Sequence, residues 1–314
     1  MTLILYNKRV LFLREKTKKV MYHIIANGGN IDRKKSKQIE AVKTTFKNAG
    51  KEVEFHFTDH PHHATEIVAK LTNGGKYTNI IAMGGDGTLH EVLNGIQDVE
   101  NCTLGLIPVG TGNDFAEANH IPKDPIAAAE NIIRNTPKHI DYIELSNGLR
   151  CINAVGTGID VDVLKYAYSA KNKKKNKYFS ALLKALRHFK YTRFKVSWDG
   201  GEEKSFNGMI AALGNGSTFG GGIKMFPTAS VDDGYMDLVV VDYVSKFSMI
   251  IAFIKLVLGK AHKIKEATYV KCKSVKFIPE GQMPTIQIEG ELYNDVPLEA
   301  HIVVDKLKFF LPQK

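Results

Sequence analysis

The chain has 314 residues, 44% of them hydrophobic and 24% charged, with 27 Gly against 10 Pro. That length and balance describe an ordinary folded chain of two domains and exclude a disulfide-stapled miniprotein, a collagen-like repeat and a disordered tail. The 43 Lys and Arg exceed the 33 Asp and Glu to give a formal charge of +10, but residues 163–198 hold 11 of the basic residues and no acidic one, which leaves 32 against 33 elsewhere. The excess is one patch. It argues against nucleic acid as a partner and for a surface that faces an anionic membrane leaflet or a phosphorylated ligand.

Residues 1–20 combine a broken apolar pattern with six basic residues and offer no signal-peptide core, and a strand pattern starting at once thereafter marks Met21 as the expected native start. From residue 20 to about Leu145, short apolar runs alternate with helical stretches, the pattern of a parallel sheet covered by helices. Strands are expected at 20–27, 53–58, 79–83 and 104–109, and helices at 33–48, 61–72, 88–96 and 125–134, the second of these with Pro61 at its first position. After Leu145 the chain changes to short strands with glycine turns, at 151–155, 194–198, 206–213, 236–243, 273–278 and 285–289, which suggests an antiparallel β-sandwich. Two apolar helices, 178–189 and 247–258, interrupt it. The expected division is 21–145 and 146–295, with 296–314 returning to the first domain.

The longest apolar stretch, 247–259, is broken by Lys255 and falls short of a membrane span. Cys102, Cys151 and Cys272 are odd in number and far apart, so neither a disulfide framework nor a Cys-x-x-Cys metal site is expected, and a reducing cytosol is the expected home. His56, His60, His62 and His63 straddle a strand end, a turn and a helix start, which favours a solvated turn over a zinc site.

The segment Ile80-Ile81-Ala82-Met83-Gly84-Gly85-Asp86-Gly87-Thr88-Leu89-His90-Glu91 reads as a buried strand running through a glycine-rich turn into a helix. Such a turn brings backbone N–H groups close to a phosphate, and the helix N-terminus adds partial positive charge. Asp86 beside an anion site calls for a cation between them, so a Mg²⁺-nucleotide is the economical reading; the alternative is a capping box between Thr88 and Glu91. A second such turn, Val109-Gly110-Thr111-Gly112-Asn113-Asp114-Phe115, follows the next strand, with an N-cap at Asp114 as its bland reading. Two glycine turns at the carboxyl ends of parallel strands face one crevice, and together they favour a nucleotide site.

GGDGTLHEVLNG (residues 84–95) followed by LGLIPVGTGNDFA (104–116) resembles the lipid kinase family that includes bacterial diacylglycerol kinases and sphingosine kinases. The resemblance runs on through Asn153-Ala154-Val155-Gly156-Thr157-Gly158-Ile159-Asp160, the glycine turns at 214–216 and 220–222, and Asp232-Asp233-Gly234, to Ile288-Glu289-Gly290-Glu291. GGDGT alone is shared with NAD kinases and phosphofructokinases; order and extent decide. The resemblance implies a Rossmann-like α/β domain of the NAD kinase and diacylglycerol kinase type joined to a β-sandwich, and a cytoplasmic, peripherally membrane-associated kinase that uses ATP and Mg²⁺. It implies Glu291 as the general base toward a lipid hydroxyl, diacylglycerol first among acceptors, with Asp86 and Asp114 holding Mg²⁺ against the phosphates. Gly84, Gly85, Asp86, Gly87, Thr88, Leu89, His90 and Glu91 would cradle the nucleotide together with Asn27, Thr58, Gly110, Thr111 and Asn113. A structural Mg²⁺ would match Asp233, with backbone oxygens of Ser230 and Tyr235.

Two departures stand out. The first strand ends Ala26-Asn27-Gly28-Gly29-Asn30 where the family has proline after the asparagine, and the acidic triplet begins with Glu289 rather than Asp. On their own, Glu289 and Glu291 read as an exposed acidic hairpin end rather than as a catalytic pair. The basic window places Tyr178, Phe179, Leu182, Leu183, Leu186 and Phe189 on a helical face flanked by Lys177, Lys184, Arg187 and Lys190, a helix packed on the sandwich or a membrane-surface contact. An exposed strand edge could pair two copies as a homodimer. An NAD kinase, or a nucleotide- and membrane-binding protein weak in catalysis, are the alternative functions.

Overall fold

A computed structural model describes residues 20–29, 32–169, 177–220, 222–260 and 263–313. In chain order the first half comprises β1 (Met21–Asn27), α1 (Arg33–Asn48), β2 (Glu52–Thr58), α2 (His63–Thr72), β3 (Thr78–Gly84), α3 (Asp86–Gly95), β4 (Cys102–Pro108), α4 (Asp114–Ala118), α5 (Pro125–Arg134) and β5 (Lys138–Leu145). β2, β1, β3 and β4 lie side by side and parallel, and every residue of β3 and β4 is buried, as expected of strands covered on both faces. Asp32 caps α1 through the Lys35 N–H at 2.8 Å, and Asp124 caps α5 just before Pro125. Phe46 of α1 and Ile132 of α5 pack with Ile24, Ile81 and Leu106 into the α/β core.

Pro61 does not begin α2. His62 precedes that helix in the left-handed region at φ 64°, and the helix amides of that turn are capped from outside: Glu91 accepts from the N–H of His62 at 3.1 Å and of Ala64 at 3.2 Å. The Thr88–Glu91 capping box is therefore not formed; Glu91 reaches across to a neighbouring helix instead.

The second half continues with β6 (Arg150–Cys151), β7 (Ala154–Gly158), α6 (Ile159–Ser169), α7 (Lys177–His188), β8 (Thr192–Trp198), β9 (Lys204–Gly208), β10 (Ile210–Gly214), β11 (Met236–Val241), α8 (Lys246–Val257), β12 (Ala267–Cys272), β13 (Ser274–Pro279), β14 (Ile286–Ile288), β15 (Glu291–Tyr293) and β16 (Glu299–Phe309). Two runs expected as single strands are each cut in two, because the chain crosses there from one sheet to the other. Residues 151–155 divide between β6 and β7, and residues 206–213 between β9 and β10. At the second corner a Cβ on Gly208 would stand 2.3 Å from the Phe194 ring, so only glycine lets the backbone turn there.

The six-stranded sheet, β12-β11-β10-β7-β14-β15, packs on the antiparallel part of the ten-stranded sheet over Val155, Phe194, Leu213, Leu238 and Ile286, which makes the β-sandwich. Its outer face is covered by α6, α7 and α8 through Ile159, Ala185, Met249 and Ala252. β16 joins the halves: it runs antiparallel to β13 and β5, passes an irregularity between Val303 and Leu307, and ends parallel to β4 with Lys308 opposite Thr103. The three cysteines are buried thiols, and no described helix is long and apolar enough to cross a membrane.

Candidate active site

The carboxyl edge of the parallel strands gathers most of the residues singled out above. Asn27 and Thr58 end β1 and β2 side by side, with the Gly28 N–H bonded to the Thr58 carbonyl at 2.7 Å. The loop that lacks proline is shaped by Asn27 itself, whose Oδ1 accepts from the Gly29 N–H at 2.9 Å. The two glycine turns touch: a Cβ on Gly110 would lie 2.4 Å from the Gly85 Cα. Gly85 is the N-cap of α3 and carries no side chain, so the first amides of that helix have no side-chain acceptor and face the crevice as an anion site. Asp86 does not close on its own helix. Its carboxylate accepts from the N–H of Asp114 at 3.2 Å and of Phe115 at 3.3 Å, fixing one turn against the other. Asp114 is thus the first residue of α4 rather than its cap; Asn113 precedes it at φ 59°. Asp114 Oδ1 accepts from the Gly222 N–H at 2.7 Å and its carbonyl from the Thr218 hydroxyl at 2.8 Å, so the second turn is tied to the other half of the molecule.

From that other half comes the acidic turn. β14 and β15 form a hairpin whose two central residues, Glu289 at φ 53° and Gly290 at φ 84°, have the left-handed backbone of a type I′ turn. Glutamate is an uncommon residue for that conformation and is held there by its carboxylate, which accepts from the N–H of Ile152 at 2.8 Å, the N–H of Asn153 at 2.7 Å and the Cys151 thiol at 3.0 Å. Gly290 is clamped by the Gln287 side chain on its N–H at 3.0 Å and the Tyr168 hydroxyl on its carbonyl at 2.5 Å. The turn aims Glu291 at α3: a Cβ on Gly87, the residue after Asp86, would stand 3.4 Å from Glu291 Oε1. The carboxylates from opposite halves therefore meet at the N-terminus of α3.

Behind Glu291 runs a chain of hydrogen bonds. The Tyr293 hydroxyl donates to Glu291 Oε2 at 3.3 Å and pairs with His90 Nε2 at 2.8 Å, and His90 Nδ1 faces the Asn94 amide at 3.2 Å. With the Tyr293 proton committed to Glu291, His90 must donate from Nε2, a neutral tautomer. Burial first, and the charge of His62 second, hold the His90 pKa down at about 4. Asn94 exchanges bonds with Arg150, accepting from its N–H at 2.8 Å and donating to its carbonyl at 2.9 Å, which locks α3 to β6.

Not every residue implied by the resemblance presents its side chain to the crevice. Leu89 is a core residue, His90 is turned to Tyr293, and Glu91 caps α2. Thr88 stands beside Gly84, and Thr111 is exposed at the second turn. Tyr293, Arg150 and Thr218 carry no motif of their own, and Asn94, though within the segment 84–95, has no role assigned to it. Alternation would have placed Tyr293 on the face of Glu291, and it is the one of the four that a sequence signal could have found.

At the Ser230–Tyr235 turn the Asp233 carboxylate already has a cationic partner. The Lys271 ammonium lies 2.7 Å from Asp233 Oδ2, 3.0 Å from Asp237 Oδ1 and 2.9 Å from the Thr228 carbonyl, and the Ser230 hydroxyl is spent on Asp232. Burial pulls Lys271 down, but its bonds to Asp233 and Asp237 outweigh that, and its pKa is raised. A cation already sits where the carboxylate points. At the acidic turn the situation is opposite: among the described residues no lysine or arginine pairs with Asp86, Glu289 or Glu291. Burial, the largest cause, and the charge of Asp86 push Glu289 up to about 7 against its hydrogen bonds. Burial and then Glu91 raise Glu291, opposed by His62 and the Tyr293 hydroxyl. A Mg²⁺ ion held by one or two carboxylates and phosphate oxygens fits this donor set, and Asp86 and Asp114 are the residues that would hold it.

Residues 21–145 match the family described as diacylglycerol kinase catalytic domain, and residues 153–311 match the YegS C-terminal NAD kinase beta sandwich-like domain. Among curated relatives, the diacylglycerol kinase of Bacillus subtilis is 31% identical over 288 residues, covering 87% of this chain and 92% of that protein. A solved diacylglycerol kinase from Bacillus anthracis shares the fold at a TM-score of 0.75 with 22% identity, covering 94% of this chain and 98% of that one. An NAD kinase from Archaeoglobus fulgidus, solved with ATP, shares the fold more distantly, at a TM-score of 0.51 and 12% identity over 94% and 95% of the two chains. The chain belongs to the bacterial diacylglycerol kinase-like family. It is a lipid kinase, an enzyme whose family uses ATP and whose acceptor is a lipid.

Proposed function

We propose that the protein moves the γ-phosphate of ATP to the primary hydroxyl of diacylglycerol, with Glu291 as the general base. The observation that carries this reading is the approach of the Glu291 carboxylate to Gly87, where an added Cβ would stand 3.4 Å from Oε1, beside Asp86 and the uncapped start of α3. Mg²⁺-ATP brings the phosphoryl group and neutralises charge on its oxygens. The amides of the Gly85 and Gly110 turns would bind phosphate, Asp86 and Asp114 would hold the cation, and Glu291 would take the hydroxyl proton as the lipid oxygen bonds to the γ-phosphorus and the bond from that phosphorus to the bridging oxygen breaks, ADP leaving with that oxygen. Tyr293 and His90 position Glu291 and do not touch the reacting atoms.

The test is an assay with labelled ATP against a lipid extract, with diacylglycerol and NAD as separate acceptors, run beside Glu291→Gln. We expect a labelled product that comigrates with phosphatidic acid and falls by about 10²–10⁴-fold in the variant. Equal labelling by the two proteins would refute the base, and labelling of NAD alone would refute the acceptor.

Peripheral membrane contact is the second part of the proposal, and α8 supports it. Ile250, Ile251, Ile254 and Leu258 form an exposed aliphatic stripe along that helix, next to exposed Tyr243. Exposed Lys184 and Arg187 on the adjoining α7, and Lys260 and Lys263 after α8, rim it with positive charge. Leu183 is also exposed, while Ala181, Leu182 and Ala185 of α7 are buried and Leu186 and Phe189 pack against the cluster on the outer face of the sandwich. The basic run at Lys173, Lys174 and Lys175 lies outside the described residues. Each cation near an anionic leaflet contributes about 1 kcal/mol, and an apolar stripe adds insertion. Co-sedimentation with anionic vesicles should drop in Ile250→Ser/Ile254→Ser; undiminished binding would remove α8 from the contact.

A further inference from the structure

Away from the catalytic crevice, on the edge strand of the ten-stranded sheet, three side chains converge that the kinase reaction does not use. The parallel register of β1 and β2 sets His23 opposite Glu54 and Ile25 opposite His56. Glu54 and His56, two residues apart, share one face of β2, and His23 projects between them. His23 Nδ1 is 3.1 Å from His56 Nε2 and 3.4 Å from Glu54 Oε2, and His56 Nε2 is 3.8 Å from the same oxygen.

A triangle with those three edges has a circumradius of about 2.0 Å, so one point lies at that distance from all three atoms; zinc bonds imidazole nitrogen at about 2.0–2.1 Å and carboxylate oxygen at about 2.0–2.2 Å. The edges themselves bracket the separation of about 3.3 Å between two ligands of a tetrahedral ion. Without an ion, a hydrogen bond joins His23 Nδ1 and His56 Nε2, and the Glu54 oxygen stands beside both nitrogens. The side chains of His23 and His56 are 16% and 19% exposed and that of Glu54 is 56% exposed, so the site opens to solvent on one side, where water completes a fourth position.

We propose that His23, His56 and Glu54 bind a zinc ion. Two imidazoles and one carboxylate select a borderline divalent ion over Mg²⁺, which demands oxygen ligands. The ion ties β2 to β1 two residues before Thr58. His56 is thereby separated from His60, His62 and His63, with which it had been grouped. His60 and His63 approach Asp59 at 3.7 and 2.6 Å on an exposed turn, a second histidine cluster that serves as the control.

The experiment titrates the metal-free full-length chain with Zn²⁺ at neutral pH against a competing chelator, and with Co²⁺ read by its visible absorption. We expect one equivalent of tight binding and a tetrahedral Co²⁺ spectrum. His23→Asn should weaken binding by more than about 100-fold, beyond the loss typical of removing an outer-shell partner. His60→Asn/His63→Asn should leave it unchanged. Affinity should fall as pH is lowered, because protons compete for the imidazoles. Should His23→Asn fail to fold by circular dichroism, Glu54→Gln, a change at an exposed side chain, replaces it and should still weaken binding at least several-fold. Absence of stoichiometric binding overturns the proposal, and so does binding that is lost in the His60/His63 variant but kept in the others.

Discussion

Two acidic turns in the second half of the chain look alike in sequence and are opposite in electrostatics. Asp232-Asp233-Gly234 has its counter-charge built in: Lys271 bridges Asp233 and the fully buried Asp237. Glu289-Gly290-Glu291 has no lysine or arginine partner among the described residues, only the charge of His62 acting on Glu291, and both of its carboxyls are pushed upward, by burial first and then by Asp86 and Glu91. An acidic turn that carries its own cation is a structural joint. One that lacks a cation is poised for a cation that arrives with a ligand.

The comparison breaks most visibly in activity. Under the proposed mechanism, Glu291→Gln costs about 10²–10⁴-fold in kcat while Asp233→Asn stays within about threefold, measured as labelled lipid formed at saturating ATP. A large loss from Asp233→Asn would mean that the second turn also serves catalysis. Stability reverses the ranking. Lys271→Met leaves the buried Asp237 without its partner and should cost about 1–3 kcal/mol in denaturant unfolding, discounted because the lysine is partly exposed. The same variant should gain a Mg²⁺-dependent rise in melting temperature that the parent lacks. If the parent itself shows a Mg²⁺-dependent rise in melting temperature without nucleotide, a metal rather than Lys271 holds that turn.

Much of this site could be read before any coordinates. Glycine turns after apolar runs announce themselves through local chemistry, and the turns at Gly84–Thr88 and Gly110–Asp114 fall at the strand ends that periodicity gave them. Long-range pairings stay hidden. Nothing near Asp233 in sequence points to Lys271, 38 residues on, and the expected return of residues 296–314 to the first domain does not by itself announce that 299–309 also pairs within the sandwich. Glu91 shows the same limit at short range. Its spacing from Thr88 suits a capping box, but the amides of α2 were the better partner, and that geometry exists only once α2 and α3 pack. The sheet crossings at Ile152–Asn153 and Met209 interrupt apolar runs that by composition read as continuous strands.

A smaller effect should appear in the pH dependence of stability. The folded pKa of Glu289, about 7, lies above the ordinary carboxyl value near 4.5, so its contribution is fully present below that ordinary value and is lost as pH rises through 7. Asp160, pushed up to about 7 mainly by burial, acts in the same direction. Nucleotide-free protein should therefore lose stability between about pH 4.5 and 7 on account of these two groups, and Glu289→Gln should flatten part of that slope. An unchanged slope would show that Glu289 does not titrate with the raised pKa that its burial implies.

The smallest and most discriminating change is Tyr293→Phe. It removes the hydroxyl that donates to Glu291 and leaves the buried Nε2–H of His90 without an acceptor. One hydrogen bond of this kind is worth about 0.5–1.5 kcal/mol, so kcat should fall about three- to tenfold. The direction of the pH effect separates positioning from bulk. The Tyr293 bond lowers the Glu291 pKa, so losing it raises that pKa further, and a base that must be ionised then loses activity at a higher pH than in the parent. The acidic limb of kcat against pH should move upward in Tyr293→Phe and stay put in a variant that merely loosens the hairpin, such as Tyr168→Phe, which gives up the bond to the Gly290 carbonyl without touching Glu291. If both variants lower kcat equally and neither moves the limb, Tyr293 acts only by holding the turn in place, and the line from His90 to Glu291 is a brace without influence on the base.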